Sequence, residues 1–170
     1  MIRRLLSIAL AGVLAACASS DPRLPPPSTT PPVFDHLIVP GTRVGPVSIG
    51  MTKDQLFAAM GLPVDTIVSY TDVFVHLYQV TNIQGLRVAV GKSSSRVWYI
   101  EVGNENYRTS QGLAVGMQER QVRELMGPPE KVVLKTAHSQ DMYCYPGLRV
   151  YFGEGKVGLI SVNPWGCSKL

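Results

Sequence analysis

Ile49-Gly50-Met51-Thr52-Lys53-Asp54-Gln55-Leu56-Phe57-Ala58-Ala59-Met60-Gly61-Leu62-Pro63 returns later in the chain as Val115-Gly116-Met117-Gln118-Glu119-Arg120-Gln121-Val122-Arg123-Glu124-Leu125-Met126-Gly127-Pro128-Pro129. Gly, Met, Gln, Met, Gly and Pro fall at matching places, so the chain contains an internal repeat. Each copy reads as a helix of two to three turns. Leu56, Ala59 and Met60 share one helical face, as do Val122, Leu125 and Met126. Thr52 with Gln55 three residues on is a capping box; the second copy has Gln118 in place of the Ser or Thr. Gly61 and Gly127 stand where a left-handed residue ends a helix, and Pro63 and Pro129 prevent continuation.

Outward from each helix the pattern changes to period two. Val44 to Ile49 and Gly112 to Val115 read as short leading strands. After the helices come β-rich runs at about Asp65 to Tyr70, Val73 to Val80, Leu86 to Val90 and Arg96 to Val102. The second copy has Lys131 to Lys135, Asp141 to Tyr145, Leu148 to Phe152 and Lys156 to Val162. Turn residues at Gly91 to Ser95 and at Gly153-Glu154-Gly155 join the last two runs of each copy as hairpins. Gly85-Leu86-Arg87-Val88 recurs as Gly147-Leu148-Arg149-Val150, and Val97, Ile100 and Val102 recur as Val157, Ile160 and Val162. The fold expected is α+β, with two tandem repeats at residues 37–105 and 106–170, each a short helix packed on an antiparallel β-meander.

The G-M-x-x-x-Q-[LV]-x-x-x-M-G-x-P helix with its following meander resembles the SmpA/OmlA (BamE-like) lipoprotein modules. In duplicated form it is similar to the β-lactamase inhibitor protein fold. The resemblance covers about Gly45 to Val162 and implies a binding or scaffold module, or alternatively an inhibitor of an envelope or secreted enzyme. Two departures stand out. This chain is duplicated, and it has strand-like sequence before Gly50 where BamE-like modules have a first helix.

The N-terminus carries an address. Arg3 and Arg4 precede the apolar run Leu5 to Ala16, a signal h-region too short to span a bilayer. Leu14-Ala15-Ala16-Cys17 resembles the bacterial lipobox. That resemblance implies removal of residues 1–16 and acylation (palmitate) of Cys17, with Ala18 rather than Asp next to it favouring a periplasm-facing outer-membrane location. An ordinary cut after Ala16 with a free Cys17 is the alternative. Residues 17–36 are then a lipidated tether, with Pro22, Pro25-Pro26-Pro27 and Pro31-Pro32 favouring extended polyproline II. The chain has a formal charge of +4; losing Arg3 and Arg4, and no acid, leaves +2. Basic residues are scattered, which argues against nucleic acid as a partner. With Cys17 acylated, Cys144 and Cys167 form an even pair, expected to be a disulfide in an oxidising compartment, with two buried thiols as the alternative.

Catalytic signatures are weak. There is no G-x-S-x-G, no CxxC and no ligand spacing among His36, His76 and His138, and Gly153-Glu154-Gly155 has no helix after it to make a phosphate cradle. Asp72, Glu101, Glu119, Glu124 and Asp141 form no telling carboxylate pair. The chain is therefore read as a non-enzyme without cofactor or metal, an undetected enzyme being the third alternative. Strand alternation supplies a better candidate. It turns Leu86, Val88, Val90, Leu148, Val150 and Phe152 to the helices. The opposite face then holds Arg87, Tyr99, Glu101, Arg149 and Tyr151, joined by His76, Tyr78, Tyr143 and Tyr145. Arg87, Tyr99, Arg149 and Tyr151 are the expected partner-binding residues, since Tyr and Arg dominate interface hot spots. The partners expected are the membrane, through the lipid, and an envelope protein.

The lipobox reading predicts that the mature chain begins at an acylated Cys17 and fractionates with membranes. Cys17→Ser should release the protein or leave the signal uncut; an unmodified Cys17 by mass spectrometry would refute the anchor.

Overall fold

A computed structural model describes residues 27–68, 73–78, 85–134 and 141–168. Residues 1–26, with the expected signal segment and Cys17, lie outside them. In chain order the elements are β1 (Leu37–Val39), β2 (Arg43–Val44), β3 (Val47–Ser48), α1 (Lys53–Met60), β4 (Asp65–Val68), β5 (Val73–Tyr78), β6 (Leu86–Gly91), β7 (Val97–Val102), β8 (Arg108–Thr109), α2 (Glu119–Met126), β9 (Lys131–Val133), β10 (Asp141–Tyr145), β11 (Leu148–Gly153) and β12 (Lys156–Val162).

Two sheets organise these strands. The larger has eight strands in the order β4-β5-β6-β7-β12-β11-β10-β9, and the smaller has four in the order β3-β2-β1-β8. This corrects the expected α+β pair of helix-on-meander modules: the chain is mostly β. The two meanders are not separate units, because β7 of the first pairs antiparallel with β12 of the second and makes them one sheet. Ile100 lies opposite Val162 and Val102 opposite Ile160. These are repeat-related residues exchanged across the junction, so a local two-fold axis passes between Glu101 and Ser161. All four apolar side chains are fully buried, in one core cluster drawn from both halves of the chain.

The helices are minor partners. Each contributes one fully buried residue, Leu56 in α1 and Val122 in α2, and Leu125 is left exposed. Each helix hangs from the hairpin turn of its own copy. Lys53 N–H donates to Ser95 O at 2.9 Å, and Glu119 N–H to Gly155 O at 3.0 Å. The capping box of α1 forms, with Gln55 N–H donating to Thr52 Oγ1 and Thr52 N–H to Gln55 Oε1. At α2 the Gln121 side chain likewise accepts from Gln118 N–H at 2.9 Å. The helix ends differ from expectation. Gly61 and Gly127 have φ of 76° and 75° but ψ of −169° and −167°, an extended positive-φ conformation essentially confined to glycine rather than the left-handed helical one.

The smaller sheet, which the repeat did not foretell as a sheet, locks onto the larger. Arg43 holds Asp35 with both guanidinium ends, at 2.8 and 2.9 Å, and donates also to Gly45 O at 2.8 Å. That hydrogen-bonded guanidinium keeps the Asp35 carboxyl below its usual pKa. The turn after β1 then meets the turn between β10 and β11, where Gly41 N–H donates to Gly147 O at 3.0 Å. Gly147 has φ of 71°, and a Cβ there would stand 2.4 Å from Gly41 N and 2.8 Å from the Pro40 carbonyl carbon. Backbone, not a flexible side chain, fills that space. Gly147→Ala should therefore cost more than about 2 kcal/mol and lower the thermal midpoint by roughly 5–10 °C. An unchanged melting curve would refute the close contact.

Candidate functional site

Alternation along the long strands divides the eight-stranded sheet into a packed face and an open one. Leu86, Val88, Ile100, Val102, Leu148, Val150, Ile160 and Val162 enter the core. Their neighbours form a cross-strand row on the other face, running Arg87, Glu101, Ser161, Arg149, Cys144 and Lys131 by register. Tyr99 lies on one side of this row, opposite Ala89, and Tyr151 on the other, opposite Met142 and Leu159. Arg87, Tyr99, Arg149 and Tyr151 thus share the open face, with Tyr99 and Tyr151 on opposite sides of the row.

The two-fold arrangement is broken in its charges. Arg87 and Arg149 are repeat equivalents. Arg87 has Glu101 as its cross-strand neighbour and pairs with it, Nε to Oε2, at 3.0 Å. Arg149 has Ser161 instead, and its Nε donates to the Gly166 carbonyl at 2.9 Å. Burial raises the pKa of the Glu101 carboxyl despite the pull of Arg87 and Arg149. Burial likewise raises the Tyr99 phenol, with Glu101 adding to it.

Residues 163–168 fold back over this face as a strap. Cys167 is disulfide-bonded to Cys144 in the row, with Cα atoms 5.8 Å apart. Trp165 meets Trp98 edge to face at 6.2 Å between ring centres. Trp98 is the extra residue of a bulge, since Tyr99 pairs with Ala89 and Val97 with Val90. In the second copy the corresponding bulge residue is Gly158, between Leu159 opposite Tyr151 and Val157 opposite Phe152. The indole is thus present in one copy alone. Sequence reading left both tryptophans unassigned. The odd spacing of Val97, Trp98, Tyr99 and Ile100, which breaks alternation, is the signal that marks the bulge.

Three residues expected on the open face lie on the other. Tyr143 and Tyr145 pair with Val150 and Leu148 and so point to the helices. The Tyr143 hydroxyl bonds to Glu119 and accepts from Arg123 Nε at 2.9 Å, and the Tyr145 hydroxyl donates to Gly127 O at 3.2 Å. His76 pairs with Val88 and packs against Phe57 of α1 at 5.4 Å. The side chain of Tyr78 lies outside what the structure describes. A polar cleft of about 590 Å³ opens beside the start of α2, lined by Gln118, Glu119, Arg120, Gln121, Arg123 and Gly155. Among the described residues no three His, Cys, Asp or Glu side chains gather as metal ligands.

No protein-family model matches the chain, and no curated protein does. Solved structures do. A DUF4309-family protein, YjgB of Bacillus subtilis, superposes with a TM-score of 0.53 at 15% identity, over 73% of this chain and 88% of its own. An extracellular SCP-domain protein of Bacillus anthracis gives 0.50 at 9% identity, over 96% of this chain and 50% of its own. A cysteine-rich secretory protein of Staphylococcus aureus gives 0.50 at 10%, over 79% and 51%. This chain therefore spans about half the length of the last two. At such identities the likeness is one of fold alone. These neighbours replace the SmpA/OmlA and β-lactamase inhibitor resemblance. The motif behind it consists of glycines and apolar positions that set turns and core contacts, and these do not single out one family.

Burial of the His76 imidazole lowers its pKa, with nearby Lys53 adding to the effect. It stands 4% exposed, with Nδ1 2.9 Å from Thr66 Oγ1 and no partner for Nε2 among the described residues. The folded chain thus holds His76 neutral where an unfolded chain, with a pKa of about 6.5, takes up a proton. The stability this contributes is present above about pH 6.5 and is lost as pH falls below it. Thermal midpoints should decline from pH 7.5 to 5.0, and His76→Gln should flatten that slope. An equal slope in the variant would assign the acid sensitivity elsewhere.

Proposed function

We propose that the protein is a cell-envelope lipoprotein, held through Cys17 in the outer membrane and facing the periplasm, whose open sheet face binds an envelope protein without catalysis. The observation carrying this reading is the row Arg87, Glu101, Ser161 and Arg149 flanked by Tyr99 and Tyr151, on the sheet face turned away from the core. Such side chains combine area with hydrogen bonding at low entropic cost. A cross-strand ion pair by itself needs neither two tyrosines nor a second arginine beside it. The Cys17 anchor and proline-rich tether support the location: about 3.1 Å per residue of polyproline holds the body some tens of ångströms off a bilayer. The inhibitor alternative drew its support from the β-lactamase inhibitor resemblance, which the similar solved structures do not sustain.

Cross-linked capture from detergent-solubilised envelopes tests the reading. A partner bound by this face should be lost when Arg87 and Tyr151, neither of which bonds the strap, are both replaced by Ala. The loss expected is on the order of 2 kcal/mol or more, at least about thirtyfold in affinity. The variant should stay folded because the apolar core is untouched, with a fall in thermal midpoint set by the loss of the Arg87–Glu101 pair. Equal capture by the double variant would refute the face as the binding site.

A further inference from the structure

The strap lies outside every described strand, so no β-ladder holds it to the open face. Asn163 N–H donates to Gly147 O at 3.2 Å at the root of the strap. Beyond that, Trp165 N–H turns to Asn163 Oδ1 and Ser168 N–H to Trp165 O, both within the strap itself. The Arg149 bond to Gly166 and the Trp98–Trp165 contact tie the strap to the sheet, and its Asn163 and Gly166 are buried. Pro164 and Ser168 are exposed and Cys167 is half-buried, whereas Cys144 is fully buried. The strap lies over the part of the face that holds Trp98, Arg149 and Cys144, and Tyr151 stands on the far side of the row.

We propose that residues 163–168 are a redox-released cover, and that a dithiol reductant opens the Trp98–Arg149 part of the face. A reductant thiolate attacks the sulfur of Cys167, the less buried cysteine of the pair, the S–S bond breaks, and Cys144 leaves as a thiolate and takes up a proton. The second thiol of the reductant displaces Cys167, closing the reductant's own disulfide and freeing the Cys167 thiol. Two electrons and two protons pass to the chain, and the dithiol ends oxidised. Without the disulfide, a strap that no β-ladder holds then opens locally while the sheet stays folded. What it uncovers is the Arg149 guanidinium that held Gly166 and the Trp98 indole that met Trp165. The uncovered site accepts the chemistry that the strap itself presents, an extended segment offering a backbone carbonyl to Arg149 and an aromatic ring to Trp98. The binding consequence rests on the reading of the face given above; release of the strap does not.

Amide exchange and acrylamide quenching on the full-length chain, oxidised and after dithiothreitol, test this. The expected result is exchange at least tenfold faster at residues 165–168, greater quenching of Trp98 and Trp165, and unchanged protection in β6, β7, β11 and β12. Cys167→Ala, which leaves buried Cys144 in place, should reproduce the reduced pattern without reductant. A strap equally protected after reduction overturns the proposal, as does loss of protection across the sheet, which would make the disulfide a staple of the fold. Envelope capture by Cys167→Ala separates the two readings. A strap that opens while no form captures a partner establishes release and removes the binding face instead.

Discussion

The pairing of β7 with β12 is the contact on which the remaining architecture depends. A four-stranded meander by itself has two edge strands, and an exposed edge is an aggregation hazard. Here the last strand of each copy takes the other as its neighbour, which removes one edge from each meander and leaves β4 and β9 at the edges of the joined sheet. Ile100, Val102, Ile160 and Val162 are buried by that one junction together with the packing above it. At roughly 1.5–3 kcal/mol for each fully buried aliphatic side chain, these four weigh heavily in a marginally stable domain. The helices, with one fully buried residue each, ride on the result rather than build it.

The same junction creates the open face. Bringing two copies of Leu-Arg-Val into one sheet places Arg87 and Arg149 symmetrically about the Glu101–Ser161 axis. The symmetry ends there. Glu101 satisfies one arginine, while the serine at the equivalent place leaves the other to the Gly166 carbonyl. Trp98 against Gly158 at the two bulges breaks it again and gives the returning strap an aromatic seat. A duplicated sheet has thus acquired two unlike sides without altering its apolar positions.

Local signals in the chain stated much of this. The capping box at Thr52, the eight strands of the large sheet and the pairing of Cys144 with Cys167 were readable from residue types and spacing, which are short-range properties. Arg87, Tyr99, Arg149 and Tyr151 were placed on a common face by alternation alone. His76, Tyr143 and Tyr145 were misplaced because alternation fixes relative facing within a strand, whereas the register to Val88, Val150 and Leu148 fixes which side is which.

What the sequence by itself determined is the repeated unit: the two helices, the eight strands of the large sheet, and which residues within a strand point together. What only the tertiary structure decided is how the two copies relate, and hence the fold. Nothing local distinguishes two separate meanders from one eight-stranded sheet, since the apolar pattern of β7 and β12 is satisfied equally by either. The choice is made by a contact between residues sixty positions apart in the chain, which brings the edge groups together and buries both apolar faces at once. The small sheet of β1, β2, β3 and β8 is of the same kind. Its strands are two or three residues long, too short to show a period, and they exist because Arg43, Asp35 and the close approach of Gly41 to Gly147 hold them against the larger sheet.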